Sequence, residues 1–503
     1  MAGDKQDSNL VGLYVAREES NGVLGATPIF REREPNSFDD LGGEYTSIAR
    51  RPFSPSRQRK KGGTVDLDAD GGWNEDFTQR GMNDTMEAFF FAAIRRKPTT
   101  LATMADAGTD DFTVADSTGF VANSLILASN FRRNNGLHVV NGVADATHVS
   151  TTSALVTEAA TNGRVEVVGH RFPAGDISIS VVGGVAVLAS GSFDMRTFDL
   201  IPGEWVFVGG DQAATHFDNL PGFYARIAEV NEDDIRFDKT TRAIGAPNDG
   251  AGKTIDLYFG YLVKNEDDPE LIVKYTHTVE RTLGRDDNGI MSESLAGFVL
   301  NEMTWNSPLA DKVNIDIAGI AMSHTPRDGA EGPLHKDAGS TVVKAEGDDL
   351  FNTSSNVFRL RLSVLDEDTL NPTPIFARVT EWSASINNNV TVNKAQGTLG
   401  GFDTTAGQFD FDGEFTAYFN SNAGTLSIRD NLDVTFDAIY SKQNAAVILD
   451  VPLIATGGGR LNIEMDAPIM LPLTIMGAQS PFGHTALLNW LPYVPNVGIA
   501  NGR

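Results

Sequence analysis

The sequence predicts a mainly β fold, and three observations point to it. The 503-residue chain contains 50 Gly and 29 Phe, helix signals are rare, and short runs of alternating apolar and polar residues recur along it. In VNIDIAGIAM, Val313, Ile315 and Ile317 share one face while Asn314 and Asp316 share the other, as in a strand with one buried face. The length suggests about three or four domains of ordinary size.

Charge and composition exclude several classes of protein. The formal net charge is -27 and 41% of the residues are hydrophobic, so we expect a buried core but no general affinity for nucleic acid, whose phosphates would be repelled. Cysteine is absent, which excludes disulfides and thiolate metal sites. No stretch approaches the roughly 20 apolar residues of a membrane-spanning helix. The N-terminal MAGDKQDSN lacks an apolar signal core, so we expect no membrane span and no ordinary export.

Two oppositely charged segments adjoin each other near the N-terminal end. Residues 50–61, RRPFSPSRQRKK, contain no acid, and two prolines oppose a helix there. Their basic residues are Arg50, Arg51, Arg57, Arg59, Lys60 and Lys61. The acids that follow include Asp66, Asp68 and Asp70. In a chain of strong negative charge this arrangement predicts complementary surfaces on copies of one molecule, so we predict that these nine residues lie at an interface between subunits.

One convincing helix follows the acidic segment. It is predicted to start near Asn83 or Asp84, because Asp84 and Glu87 have the spacing of a capping box. Its apolar stripe consists of Met86, Phe89, Phe90, Ala93 and Ile94. The cations Arg95, Arg96 and Lys97 are predicted to lie at its C-terminus, where the helix dipole favours positive charge.

An internal repeat is visible between residues 112 and 241. Phe112 recurs 86 residues later as Phe198, and Gly136 recurs as Gly222. Each copy is predicted to form a small β meander or half-barrel. Because two copies are too few for a solenoid, we interpret them as an inserted β domain.

A second, weaker similarity involves two tryptophans. EMTWNSPLADKVNI and RVTEWSASINNNVTV each place Trp eight residues before a Val that begins another predicted strand. These pairs are Trp305 with Val313 and Trp382 with Val390. The simplest account is a duplicated β domain.

Three stretches of the chain together carry a resemblance to a known family: EYTSIARRPFSPSRQRKKGGTVDLDADGGWNEDFT, RVTEWSASINNNVTVNKAQGTLGGFDTTAGQFDFDGEFTAYF and AAVILDVPLIATGGGRLNIEMDAPIMLPL. They resemble the major tail tube proteins of bacteriophages with long, flexible, non-contractile (siphovirus-like) tails. The resemblance covers about the first 100 and the last 200 residues, and it concerns strand order rather than a catalytic signature. The region of the internal repeat lies outside it.

The resemblance implies tandem tail-tube-type β-sandwich domains with a flanking α-helix, plus an inserted small β domain. We predict an N-terminal arm at 1–45, a first domain at 46–105 with 252–340, the inserted β domain at 106–251, and a second domain at 341–503. The implied function is structural, without catalysis or cofactors: rings of the protein stack into a hollow tube in the virion tail. A fused pair of domains favours a trimer with pseudo-sixfold symmetry over a hexamer.

The resemblance also implies partners and a location. The protein would bind copies of itself, the tape measure protein and tail terminator or tip proteins, and DNA would pass through without specific binding. It would be made in the host cytoplasm. The alternative, from another class, is a virion-attached β-rich binding module of tail-fibre or carbohydrate-binding type that uses the repeat as its binding face.

The acidic segment has a rival interpretation as a calcium site. Asp66, Asp68, Asp70 and Gly71 follow the opening of an EF-hand loop, but Phe77 stands at the twelfth position, where a bidentate Glu is needed. A solvated acidic strand or loop is favoured, and no metal site is predicted.

Other motifs have plain explanations. GAGKT at 250–254 resembles a phosphate-binding loop, but Pro247 replaces a required glycine and the following TIDLYFGYLV is predicted to be a strand. The glycines at 457–459 predict a hairpin turn. His335 and Asp337 are placed in a polar loop, and no GxSxG, HExxH or Ser/His/Asp arrangement is recognisable.

Overall fold

The computed structural model describes residues 5–500 apart from residues 54, 56, 57, 246–249, 346, 348, 366–368 and 377. The described residues form 31 strands and two α-helices, so the predicted mainly β fold is confirmed. In Asn314–Ala321 the predicted alternation is also present, because Ile315 and Ile317 are buried while Asp316 is exposed.

The elements of the first half of the chain are β1 (Leu13–Arg17), β2 (Ile29–Arg33), β3 (Pro35–Arg50), β4 (Lys60–Asp76), α1 (Asn83–Phe90), β5 (Thr99–Asp106), β6 (Asp111–Val114), β7 (Ser124–Ser129), β8 (Gly136–Asp145), β9 (His148–Thr151), β10 (Glu158–Arg171), β11 (Ile177–Val182), β12 (Val185–Ser190), β13 (Trp205–Gly209), β14 (Gly222–Val230), β15 (Asp234–Thr240) and β16 (Asp256–Tyr258).

The second half contains β17 (Tyr261–Lys264), β18 (His277–Arg285), β19 (Ile290–Ser307), β20 (Asn314–Ala321), β21 (Ser323–Arg327), β22 (Thr341–Val343), β23 (Val357–Val364), β24 (Val379–Asn387), β25 (Thr391–Asn393), β26 (Asp403–Thr405), β27 (Asp410–Tyr418), α2 (Ala423–Arg429), β28 (Val434–Lys442), β29 (Ala445–Gly458), β30 (Met470–Gly477) and β31 (Leu487–Leu491). Short 3₁₀ turns lie at Ser8–Leu10, Met195–Phe198, Leu334–Lys336 and Asn496–Gly498.

Contacts divide the chain into two compact units. The first contains Met1–Ala93, Asn265–Thr353 and Thr380–Thr416, and the second contains Ile94–Lys264, Ser354–Val379 and Ala417–Arg503. The boundaries of these two units differ from those of the four predicted segments. Residues 380–416 group with the N-terminal part and residues 94–264 with the C-terminal part.

The first unit has two sheets that share β19. The first part of β19 pairs with β18 and β21, and the second part pairs with β20 and β24. Between them, Gly297 has a φ of 64°, and a Cβ there would approach Met322 Cε to 2.5 Å. Glycine therefore suits the point where the strand passes from one sheet to the other. β1 joins β18 to β2, and β20 joins β19 to β4.

In the second unit, residues 99–258 form a 12-stranded sheet. Six of its strands close into a barrel, because β10 pairs with both β5 and β7 while β6, β9 and β8 complete the circuit. The remaining strands continue from β10 in the order β16, β13, β14, β15, β12, β11. The same unit contains a second sheet in which β29 pairs with β28, β30 and β31.

Strand positions in the 12-stranded sheet recur at the spacing of the sequence repeat. β5 and β12 begin at Thr99 and Val185, and β8 and β14 begin at Gly136 and Gly222, in each case 86 residues apart. The two halves differ in their pairing. β12 pairs directly with β15, whereas β6 lies between β5 and β9 in the first half.

α1 ends earlier than predicted. Phe90 is its last residue, because Phe91 adopts a left-handed conformation with a φ of 49° and its N–H donates to the carbonyl oxygen of Glu87. The cations predicted at the C-terminus, Arg95, Arg96 and Lys97, therefore lie beyond the helix. Helix propensity continues past this point in the sequence, but tertiary context commonly overrides propensity, and Phe89, Phe90 and Phe91 are all buried here.

The predicted capping box is also absent. The N-cap residue is Met82, and no side chain caps the helix. Asp84 and Glu87 instead form ion pairs with Arg31 and Arg17. The two carboxylates therefore hold the helix against the sheet of the first unit rather than capping its backbone.

The two tryptophans do not mark corresponding parts of two domains. Both lie in the first unit, where Trp305 on β19 is opposite Ala384 and Ser307 is opposite Trp382 on β24. Their rings are stacked, with centroids 6.1 Å apart. The two similar sequences belong to neighbouring strands that contribute to one aromatic core, and the duplicated domain stays a prediction.

Candidate assembly surface

The ribbon formed by β3 and β4 extends beyond its sheet. β4 pairs with β20 from Ala69 to Asp76, whereas its pairing with β3 continues outward until Arg50 lies opposite Lys60. Among the described residues, the segment 44–67, which we call the ribbon, has no third strand. A two-stranded ribbon is only marginally stable in water, so a neighbouring surface would stabilise it.

The basic residues lie together at the outer end of the ribbon, which we call the ribbon tip. Arg50 ends β3, Arg51 and Arg59 lie in the connecting loop, and Lys60 and Lys61 begin β4; all five are exposed. Arg57 lies outside the described residues. None of the five forms an ion pair with another described residue. The structure thus brings five of the six predicted basic residues together, without an acidic partner among the described residues.

Apolar side chains accompany these cations. Ile48 is 61% exposed, Phe53 is fully exposed, and Tyr45 and Val65 are about half exposed. Large apolar side chains clustered with charges on an unpaired ribbon are typical of a surface that another molecule covers. These apolar residues are visible in the sequence because they interrupt an otherwise polar segment. The charge pattern alone did not indicate that they would be exposed.

The acidic residues behave differently from the basic ones. Asp66, Asp68 and Asp70 alternate along β4, and Lys394 Nζ lies 2.8 Å from Asp66 Oδ1 and 2.6 Å from Asp68 Oδ1. The hydrogen bond from Lys394 lowers the pKa of Asp66. Two of the three predicted acids are therefore already paired within the chain, at a sequence separation of more than 300 residues.

Burial, together with Asp68, Asp40 and Glu44, raises the pKa of Asp70. This segment is a strand and not a loop that could wrap a cation, since side chains at alternate positions extend in parallel. In the parts of the chain that the structure describes, no group of three or more His, Asp or Glu side chains is arranged to hold a metal ion.

Two other sequence motifs have structural explanations. Lys253 of GAGKT donates to the carbonyl oxygen of Ala213 at 2.7 Å and pairs with Asp218 at 2.9 Å, and strand β16 follows rather than a helix. The glycines at 457–459 do not form a tight turn, because β29 continues to Gly458 and β30 begins only at Met470. The predicted hairpin turn is therefore a longer loop.

His335 is buried rather than in an open polar loop. Its Nδ1 lies 2.8 Å from Glu280 Oε2, and its ring stacks on Tyr14 at 3.9 Å. Burial alone would raise the pKa of Glu280, but hydrogen bonds from His335, Leu334 and Ser292 lower it overall. This pair stabilises the first unit.

A cavity of about 190 Å³ lies in the first unit beside α1. Arg17, Arg31 and Arg33 line it together with apolar residues. Each arginine already pairs with a carboxylate, namely Glu87, Asp84 and Glu75, respectively. The cavity therefore offers little uncompensated charge to an anion.

The second unit also contains a buried charge cluster that was not predicted from the sequence. Asp437 lies 2.5 Å from Lys239 and 2.6 Å from Arg359, and Arg226 pairs with Asp238 and Asp450. Its members are Arg226, Lys239, Arg359, Asp437 and Asp450, all buried, with Asp238 at the edge. They lie on β14, β15, β23, β28 and β29, and so connect the 12-stranded sheet to the C-terminal sheet of that unit.

A mainly β chain with an exposed two-stranded ribbon and a basic tip has the features of a structural protein. More specifically, the chain belongs to the phage tail tube protein family, whose model, described as phage tail tube protein, matches residues 8–477. It is a structural component of the virion tail. A comparison with curated proteins gives no match. In the described part of the chain, no helix is long and apolar enough to cross a membrane.

Proposed function

We propose that the protein self-assembles into rings that stack into the hollow tube of a long, non-contractile phage tail. The observation that carries this proposal is the ribbon, with its unpaired backbone edges and its exposed Ile48 and Phe53. Such edges become stable when a neighbouring copy covers them. A head-to-tail contact between copies either closes a ring or continues along a filament, and a stacked tube uses both.

The basic tip supports contact with another copy rather than with its own chain. Arg50, Lys60 and Lys61 have no acidic partner among the described residues, while the chain as a whole has a net charge of -27. A second copy is therefore an abundant source of complementary charge. A single exposed ion pair contributes little, but a ring repeats the contact around its axis. In this arrangement, Asp66 and Asp68 pair with Lys394 of their own chain and hold the base of the ribbon in place.

We further propose that each ring contains three chains with pseudo-sixfold symmetry. Each unit contains strands and one α-helix, α1 in the first and α2 in the second, which supports one tail-tube-type domain per unit. Residues 106–251, within the second unit, would then decorate the outside of the tube.

The remaining partners follow from a tube in a tail. The protein would be made in the host cytoplasm and would contact the tape measure protein in the lumen and terminator or tip proteins at the ends. DNA would pass without specific binding, since a net charge of -27 repels phosphates over most of the surface.

The double variant Lys60→Glu/Lys61→Glu tests this function. Electron microscopy of the purified wild-type protein is expected to show hollow tubes with a regular axial repeat. The variant is expected to keep its β circular dichroism spectrum but to form only rings or short stacks, because its tip now repels an acidic partner. Tubes of normal length from the variant would contradict the role of the tip.

A matched control is Arg132→Glu/Arg133→Glu, which makes the same change in charge at exposed residues of the second unit. It is expected to form tubes like the wild type. If it also fails, net charge rather than the ribbon tip controls assembly. A wild-type protein that stays monomeric at all concentrations would refute the assembly function itself.

A second candidate function is a virion-attached β-rich binding module. The observation that favours it is the closed six-stranded barrel between residues 99 and 171, which has a hydrophobic core. This function predicts a discrete oligomer and saturable binding of a glycan or another surface ligand to residues 106–251. A glycan array probed with the full chain distinguishes the two functions.

A further inference from the structure

The loop between β29 and β30 exposes an unusual combination of side chains. Residues 463–469, which we call the acidic–apolar loop, read IEMDAPI. Ile463 is 71% exposed and Met465 is 92% exposed, and the acids between and after them, Glu464 and Asp466, are exposed as well. Neither acid forms an ion pair with another described residue.

The base of this loop is held in place. The backbone N–H of Asn462 donates to the carbonyl oxygen of Met470 at 3.0 Å, and that of Met470 donates to the carbonyl oxygen of Asn462 at 3.2 Å. Ile469 accepts a further backbone bond from Phe419 at 3.0 Å. The exposed apolar residues are therefore presented from an ordered hairpin end rather than from a free chain terminus.

The ribbon tip has the complementary chemistry. It carries cations without an ion pair to any described residue, together with exposed Ile48 and Phe53. The acidic–apolar loop likewise carries acids without a described partner, together with exposed Ile463 and Met465. Each surface therefore offers the other an opposite charge and apolar area at the same time. Surface charge alone would give a weak contact, and burial of the apolar side chains would supply most of the affinity.

We propose that the ribbon tip of one copy docks on the acidic–apolar loop of a second copy. The partner is a second copy because Phe53 and Met465 are almost completely exposed in the single chain, so no described residue of the same chain covers either side chain. This proposal rests on the proposed function and deepens it, since it names the surface that receives the ribbon. In a stacked tube, the contact would recur once for each chain in a ring.

Cross-linking tests the contact directly, because a chain without cysteine gives no background. Lys61→Cys and Met465→Cys proteins are mixed, assembled and treated with a short bismaleimide. The expected result is a cross-linked dimer whose yield depends on assembly. Val182→Cys, another exposed site in the second unit, replaces Met465→Cys in the control and is expected to give no dimer with Lys61→Cys. Equal yields from the two mixtures would overturn the proposal.

Charge exchange provides an independent test. Lys60→Glu/Lys61→Glu and Glu464→Lys/Asp466→Lys are each expected to shorten the tubes, and the chain that combines all four changes is expected to restore them. Wild-type tubes with neither a specific cross-link nor restoration would refute this contact while leaving the tube function intact. Absence of wild-type tubes would instead refute the proposed function.

Discussion

Asp437 is the central carboxylate of the buried charge cluster in the second unit. Its side chain is fully buried and pairs with Lys239 and Arg359. Burial alone would raise its pKa, but Arg359 and Lys239 lower it overall. Burial also lowers the pKa of Lys239 to about 8, so both partners depend on each other for their charged forms. A cluster of this kind is sensitive to the loss of any one charge.

We expect Asp437→Asn to destabilise the protein by about 3–5 kcal/mol, because it leaves two buried cations without their shared anion. The measurement is urea unfolding followed by tryptophan fluorescence. Asp194→Asn, which removes an exposed carboxylate paired with Arg196, serves as the control and is expected to cause no measurable change. Equal effects of the two substitutions would contradict the importance of burial.

His170 provides a pH-dependent prediction at the same scale. It is buried against Phe172, Phe193 and Phe198, and burial lowers its pKa to about 4. The unfolded chain, with a histidine pKa of about 6.5, therefore binds more protons between these values. This site lowers the free energy of unfolding as the pH falls through that interval.

We expect the free energy of unfolding of His170→Phe, relative to wild type, to rise as the pH falls from about 6.5 to about 4, because phenylalanine cannot bind a proton. Denaturant unfolding at several pH values measures it. The partly exposed His148 provides a control of opposite sign, since hydrogen bonding to Asp145 raises its pKa. His148→Asn should therefore lose relative stability at low pH. A pH-independent difference for His170→Phe would contradict its burial as a neutral side chain.

At the scale of elements, β4 depends on a glycine where it enters the sheet. A Cβ at Gly72 would lie 2.1 Å from the carbonyl oxygen of Ile317 on β20. Backbone atoms of a central strand cannot move far without breaking the hydrogen bonds to the neighbouring strands on both sides. A Cβ at Gly63, on the outer part of the same strand, would have no other atom within 4 Å, so the two glycines have different structural roles.

We expect Gly72→Ala to destabilise the protein by about 1–3 kcal/mol through steric overlap, whereas Gly63→Ala is expected to leave stability unchanged. Thermal unfolding of both variants checks the difference. A stable Gly72→Ala protein would show that β4 and β20 can separate locally. The part of β4 that adjoins the ribbon would then not belong to the rigid part of the first unit.

At the scale of the whole molecule, the number of chains per ring tests the proposal that each unit contains one tail-tube-type domain. Image averaging of end-on views is expected to give threefold symmetry, with six similar densities around the lumen. Six chains per ring would contradict one tail-tube-type domain per unit. The measurement uses the wild-type protein and does not depend on the ribbon variants.

Much of the fold was predictable because side chains in a strand alternate with a period of two. The strand at Asn314–Ala321, the presence of a helix near residue 83 and the exposure of the described basic residues all followed from local patterns. Of the candidate site, the exposure of the basic residues could be predicted, since a run of cations with prolines has no place in a core; their contact with another copy stays a prediction.

What the sequence determined by itself is therefore the mainly β class, the basic arm and the resemblance to tail tube proteins, because each depends on residues close together in the chain. Only the tertiary structure decided that Lys394 pairs with Asp66 and Asp68, that Trp305 and Trp382 share one core, and that α1 ends at Phe90. These outcomes depend on packing and on partners distant along the chain, whose proximity no local pattern records.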